Sequence, residues 1–251
     1  MQNITDILNQ FEAISLEKLL NAELMNRVDT KFLIPHADLS QVLHSLNKDY
    51  YVLEVNGQRM AKYENLYFDM PDHNFYLDHH NGKDHRFKVR FRKYENSQTT
   101  FFEIKEHKKK RTNKERFQVD QMSDELKGPE LALVQKMLGI SNKLHPKLKN
   151  HYQRITLVNE TLKERFTLDL NLVFENDDTS RALQNVIVAE LKQQGLNRKS
   201  PVFEVMNQKK IRPFRISKYC IGTVLLFPKE RVKYNRFKHI IQKLNTFNNA
   251  I

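Results

Sequence analysis

One run constrains this chain more than any other: His85-Arg86-Phe87-Lys88-Val89-Arg90-Phe91-Arg92-Lys93-Tyr94. Charged and apolar residues alternate along it, and strand side chains have a period of two. Arg86, Lys88, Arg90 and Arg92 therefore share one face, and Phe87, Val89 and Phe91 the other. A second run, Phe101 to Lys105, places Glu103 and Lys105 opposite Phe102 and Ile104. The polar turn Glu95–Gln98 between the runs suits a hairpin. Cations at successive same-face positions stand about 7 Å apart and repel. Solvated sheet faces usually mix signs. The pattern reads either as an exposed face that happens to be basic or as an anion site long enough for several phosphates.

Composition narrows the partner. Among 251 residues, 42 Lys and Arg face 30 Asp and Glu, a net charge of +12. That excess favours a polyanion: nucleic acid, an acidic membrane surface or a phosphorylated small molecule. With only 6 Gly there is neither a GxGxxG nor a Walker A pattern, so any phosphate must be held by side chains. The single cysteine, Cys220, excludes an intrachain disulfide and a cysteine zinc cluster. No signal peptide and no apolar run long enough to span a bilayer is visible. We expect a cytoplasmic protein that positive charge could hold at the inner face of the membrane.

Along the chain, residues 1–24 read as a helical segment, with Ser15 as a cap for Leu16–Leu24. Arg27–Pro35 reads as a strand with Arg27, Asp29 and Lys31 on one face, and a helix follows over 36–47. Further strands are expected at 62–69, 85–94, 101–105, 115–119, 151–157, 164–170 and 186–192. Their shared faces carry Arg116; Arg154; Arg165 and Asp169; and Glu190 and Lys192. The cation-dense stretch 106–116, which includes Lys110, reads as a solvated loop or a mobile basic lip. Helices are expected at 124–137 and over about 213–247, with Pro213 in a first turn and Arg215 and Lys218 following. No linker divides the chain. The reading is one α+β domain spanning 1–251, an antiparallel eight-stranded barrel with helices packed outside. A charged barrel interior is stable only as a wet channel or around a charged ligand.

Several segments together resemble a known family. They are Arg27-x-Asp-Thr-Lys31-Phe, Leu66-Tyr67-Phe68-Asp69, Arg90-x-Arg92-Lys93-Tyr94, Phe102-Glu103-Ile104-Lys105, Tyr152-x-Arg154, Arg165-Phe166-Thr167-Leu168-Asp169, Glu190-Leu191-Lys192 and Arg215-Ile216-Ser217-Lys218-Tyr219. In order and spacing the set resembles the VTC domain, the catalytic domain of the vacuolar transporter chaperone complex and its stand-alone bacterial relatives, in the CYTH or triphosphate-tunnel superfamily. The resemblance implies a polyphosphate polymerase that passes the terminal phosphoryl group of ATP to inorganic polyphosphate. It places Arg90, Arg92, Lys105, Arg116, Arg154 and Arg165 at phosphate-binding positions and Lys31 near the transferred group. Lys218 completes the wall, and Glu190 is the carboxylate for Mn²⁺ or Mg²⁺. Arg27, Lys88, Lys192 and Arg215 fill out the basic set.

The sequence departs from the superfamily in two places. The superfamily's opening Glu-x-Glu-x-Lys is here Arg27, Asp29 and Lys31, which weighs against simple triphosphate hydrolysis or cyclisation. Arg215 stands where the family has lysine. A tunnel-fold triphosphatase and a non-catalytic polyphosphate binder are the competing readings. Nucleic acid is disfavoured, because Phe87 and Phe91 face away from the cations and offer no stacking surface. Any coupling to a membrane would need a separate membrane-protein partner.

Overall fold

The computed structural model describes residues 3–21, 27–109, 111–140 and 144–248. Lys110 and the end of the expected N-terminal helix, residues 22–24, lie outside them. The chain opens with α1 (Ile4–Leu8), β1 (Ala13–Ser15), α2 (Leu16–Asn21), β2 (Val28–Pro35), α3 (Leu39–Leu46) and β3 (Tyr51–Glu54). It continues through β4 (Ala61–Asp69), α4 (Asn74–His80), β5 (Arg86–Tyr94), β6 (Thr99–Lys108), β7 (Arg111–Val119) and α5 (Gly128–Leu138). The second half comprises β8 (His145–Asn159), β9 (Glu164–Glu175), β10 (Ser180–Leu183), β11 (Val186–Gln193), α6 (Pro201–Gln208), α7 (Lys218–Leu226) and α8 (Lys238–Asn248).

Among the described residues one eleven-stranded sheet runs through eight strands in the order β2-β11-β9-β8-β4-β5-β6-β7, each antiparallel to its neighbours, with β1, β3 and β10 paired off this path. Pairing alternates as the sequence does, so one face is apolar and the other carries the charges. The apolar face is covered by helices. Phe32, Ile34, Leu157, Phe166 and Ile187 pack with α1, α3 and α6. Leu66, Phe68, Val89, Phe91, Phe102 and Ile104 pack with α5. Each such buried side chain stabilises the fold by roughly 1.5–3 kcal/mol.

The eight strands do not close into the expected barrel. Among the described residues, β2 and β7 end the sheet with no hydrogen bonds between them. Two causes are visible. The stretch before α7 lies along β2, where the Phe214 amide donates to the Lys31 carbonyl at 2.7 Å. In addition, β7 presents Arg111, Lys114 and Arg116; pairing them with β2 would set cations beside Arg27 and Lys31, and like charges directly opposite destabilise a ladder. The result is an open, strongly curled sheet. Its curl brings Lys105 of β6 into electrostatic reach of Lys31 and Asp29 of β2 and Glu190 of β11.

Three local expectations change as well. In the basic stretch, residues 106–108 and 111–116 lie on the paired strands β6 and β7, not in a loop. Helix does not begin at Pro213: residues 211–217 form no regular element, and the described C-terminal helices are α7 and α8, with turns and one 3-10 turn (Asn235–Phe237) between them. The N-terminal segment is interrupted by β1, which pairs in parallel with β3. Ser15 does cap the helix after it, its Oγ accepting from the Lys18 amide at 3.3 Å. No helix among the described residues is long and apolar enough to cross a membrane.

Candidate functional site

The inner face of the curled sheet changes character along its length. Towards one end it is apolar: Leu33, Leu148, Leu172, Phe174 and Val188 pack with Ile216, Tyr219 and Ile221 around α7. A bulge in the β8–β9 pairing, with Asn171 at φ 52°, lets β9 pass from the inward Asp169 to the inward Leu172. At that end α7 plugs the trough. Gly222 makes the close approach possible, because a Cβ there would stand 2.6 Å from Phe174 Cδ1.

Above the plug the face is ionic, and each carboxylate lies between two cations. Glu103 accepts from Arg90 at 2.9 and 2.7 Å and from Lys114 at 2.6 Å. Asp169 accepts from Arg154 at 2.5 and 2.8 Å and also from Lys218. Glu190 pairs with Lys192 at 2.6 Å and with Lys31 at 3.8 Å, and Asp29 with Lys192 at 3.4 Å and Arg27 at 3.2 Å. Burial opposes ionisation of Glu190, yet Lys192 and Lys31 outweigh it and hold the carboxyl well below its usual range. Burial likewise opposes ionisation of Glu103 and Asp169. For Glu103, Arg90, Arg92 and Lys114 prevail; for Asp169, Arg154 and Lys218 do.

Three cations in the middle have no carboxylate partner among the described residues. Lys88 donates only to Ser217 Oγ, at 2.8 Å. Arg92, 9% exposed, donates to Asn65 Oδ1 at 2.8 Å and lies against Tyr152 and Tyr63. Lys105, paired with Lys88 in the ladder, faces the water of the trough. Burial, then the charges of Lys31, Arg90 and Arg86, pushes Lys88 down to about 8, against an opposing pull from Cys220. Burial and Lys88 push Lys105 to about 8 despite Glu190. Such cations gain most from an incoming polyanion.

Ser217 caps α7 while receiving Lys88, and the Lys31 ammonium donates to the Ile216 carbonyl at 3.1 Å. Tyr219 hydroxyl donates to Asp69, which also accepts from the amides of Met70, Phe75 and Tyr76. The buried Asp69 thus fixes α7, and with it Lys218, to β4 and α4.

Of the residues singled out from sequence, Lys31, Lys88, Arg90, Arg92, Lys105, Arg154, Glu190, Lys192 and Lys218 converge on this face. Arg116 is on the same face at the rim, its guanidinium 4.7 Å from the Phe101 ring centre. Arg165 is also at the rim and donates to the Leu19 carbonyl at 3.2 Å. Arg27 reaches the edge through Asp29. Arg215 is exposed on the stretch before α7 and is not drawn into the face by any ion pair among the described residues. Lys114 was missed as a site residue. Continuing the alternation of Arg116 back by two, in register with Lys105, would have found it.

A family model described as the VTC domain matches residues 26–227. The chain belongs to the VTC domain family. That membership carries a polyphosphate-polymerase type of activity, with ATP and inorganic polyphosphate as substrates and Mn²⁺ or Mg²⁺ as the metal. No curated protein matches the chain. Among solved structures, a candidate adenylate cyclase from Bacillus halodurans is 13% identical, covering 85% of this chain and 100% of its own, at a TM-score of 0.50. A candidate adenylyl cyclase from Hippeastrum, described as having a dominant triphosphatase activity, is 12% identical, covering 81% and 98%, at a TM-score of 0.48. At these identities the likeness concerns the fold alone.

The residues present fit such a metal. No group of three or more His, Cys, Asp or Glu is poised to hold one among the described residues. Glu190, with Asp29 across the shared Lys192, offers hard carboxylate oxygens, the donor type that Mn²⁺ and Mg²⁺ take when phosphates and water complete the shell.

Proposed function

We propose that the inner face works as a polyphosphate track on which ATP's terminal phosphoryl group is moved to the end of an inorganic polyphosphate chain. The observation that carries this reading is the set of cations without a carboxylate partner among the described residues, Lys88, Arg92 and Lys105, flanked by carboxylates already shared between two cations each. Arg90 and Arg92 grip adjacent phosphates, and Arg154 and Lys218 continue the track beyond them. Lys31 and Lys105 neutralise the oxygens of the group in flight. Lys88, Lys114 and Lys192 bind the chain, and Arg27, Arg116, Arg165 and Arg215 attract it at the rim. Glu190 would hold the divalent metal, which supplies further charge neutralisation where phosphates react.

This inventory suits phosphoryl transfer, which asks the protein for in-line positioning and charge stabilisation more than for covalent chemistry. The acceptor is an ionised phosphate, so no general base is needed and no histidine is assigned a catalytic role. ATP as donor sets the protein in the cytoplasm, and its net positive charge favours a peripheral position at the inner membrane face.

The test is incubation with ATP and Mn²⁺, then Mg²⁺, with products separated by length on a gel. Long chains and ADP, lost in Glu190→Gln and Arg92→Ala, are expected. Orthophosphate without chains would replace this reading with hydrolysis.

A further inference from the structure

The mouth of the trough carries an aromatic that neither the core nor the phosphate track accounts for. Phe101 lies on the charged face, paired across the ladder with Arg92 on one side and Gln118 on the other. It is half-buried and joins none of the apolar clusters. Its neighbours are the exposed Arg116, 4.7 Å over the ring, and the edge of Tyr94, with centroids 5.8 Å apart at 87°. Tyr94 is braced in turn by Tyr63 at 4.9 Å. An inward aromatic with one face under a movable guanidinium is an open stacking surface.

We infer that Phe101, with Arg116 closing over it, is the seat of the nucleotide base. The inference rests on the reading that ATP's phosphates lie along Arg90 and Arg92. Directly paired strand residues stand about 5 Å apart, and successive same-face rows about 7 Å apart. A phosphate held by Arg92 therefore leaves the nucleoside at the level of Phe101 or above it. Arg116 is exposed and anchored by no ion pair among the described residues, so it can lift, admit the base and stack on its far side. Stacking is indifferent to the pattern of donors and acceptors on the base edge. The seat thus accepts ATP and GTP alike and holds the smaller uracil ring of UTP less well.

Calorimetric titration of the full chain with ATP, GTP, UTP and tripolyphosphate, in the wild type and in Phe101→Ala, Phe101→Leu and Phe101→Tyr, tests this. Alanine and leucine are expected to weaken ATP and GTP about tenfold or more and to leave tripolyphosphate within about twofold. Tyrosine is expected to bind ATP as the wild type does. Leucine keeps apolar volume, so a folding defect confined to alanine cannot imitate the result. Equal losses for ATP and tripolyphosphate, or no loss for either, would overturn the assignment. Because binding is read directly, a wild type that binds both ligands but makes no polyphosphate would refute the polymerase reading without touching the base seat.

Discussion

The charge arrangement makes binding of a polyanion a proton-linked event. Lys88 and Lys105, each pushed to about 8 in the ligand-free protein, regain ordinary lysine character when phosphate oxygens arrive. The bound state then holds more protons than the free one, so affinity must fall as pH rises through the free-state value. For Lys88 alone, with its bound value near the ordinary 10.4, the fall is about tenfold between pH 7 and pH 9. Lys105 stands open to water, where screening weakens its shift, so the pair together should give between tenfold and hundredfold. The folded protein shows the opposite trend. Lys88 and Lys105 are depressed relative to the unfolded chain, so their contribution to ligand-free stability rises above pH 8 while affinity drops. Tripolyphosphate titrations at pH 7, 8 and 9, in buffers of different ionisation heat, would read both the affinity and the protons taken up. Lys88→Met should bind more weakly at pH 7 and lose about one tenfold step of the pH slope. A wild-type affinity flat from pH 7 to 9 with no proton uptake would refute the reasoning, as would an unchanged slope in the variant.

Other outcomes follow from single contacts. Glu190→Gln should abolish chain synthesis and weaken Mn²⁺ binding, read by the paramagnetic signal of the free ion, while tripolyphosphate affinity without metal holds or rises. Asp169→Asn leaves Arg154 and Lys218 without their shared carboxylate and should destabilise the free protein by about 3–5 kcal/mol in urea unfolding, with much of the loss recovered by added tripolyphosphate. Gly222→Ala forces Phe174 aside and should cost about 1–3 kcal/mol by the same measurement, net of the small gain in helix propensity. The carboxyls of Glu103, Asp169 and Glu190 are all depressed by cations, so their contribution is present above the unfolded-state values near 4 and is lost as pH falls through the lower folded ones. Circular dichroism should accordingly show an acid transition below about pH 4.

What the sequence made legible was whatever obeys a period of two. The eight strands, the apolar side of β5 and the inward faces of β8, β9 and β11 all follow from alternation, because a strand has no other way to separate Arg90 from Phe91. Closure is not a periodic property. Whether β7 meets β2 depends on the Phe214 amide reaching the Lys31 carbonyl from a stretch nearly two hundred residues away, which no local pattern encodes. The dense cations of 106–116 concealed a hairpin, because charge resembles loop composition; only the register with Glu103 and Lys105 reveals that Lys114 and Arg116 face inward. Pro213 suits a helical first turn by its own geometry, yet the chain there is tied to an edge strand through the Phe214 amide, a tertiary demand that overrides local preference. Ser217, four residues later, supplies the cap that α7 uses.

The open sheet also bears on how a lengthening product is accommodated. A closed barrel fixes its bore by hydrogen bonds on every side, whereas here the side between β2 and β7 is lined by side chains and by the stretch 211–217. Only side chains need to yield there as the occupant changes from ATP to a longer chain. The paired carboxylates serve the same end. With the trough empty, Glu103, Asp169 and Glu190 act as built-in counter-ions for cations that would otherwise repel across the curl. When phosphates enter, Arg90, Arg154 and Lys192 already point inward, and exchanging a carboxylate oxygen for a phosphate oxygen leaves most of their geometry intact. Preorganised cations lose little by reorientation when charge develops. Among the paired cations no subsite is uniquely strong, because each must give up part of an existing carboxylate partner, whereas Lys88, Arg92 and Lys105 have none among the described residues to give up. Levelling of the paired sites keeps them from holding the chain in one register, so that it can advance by a phosphate after each transfer.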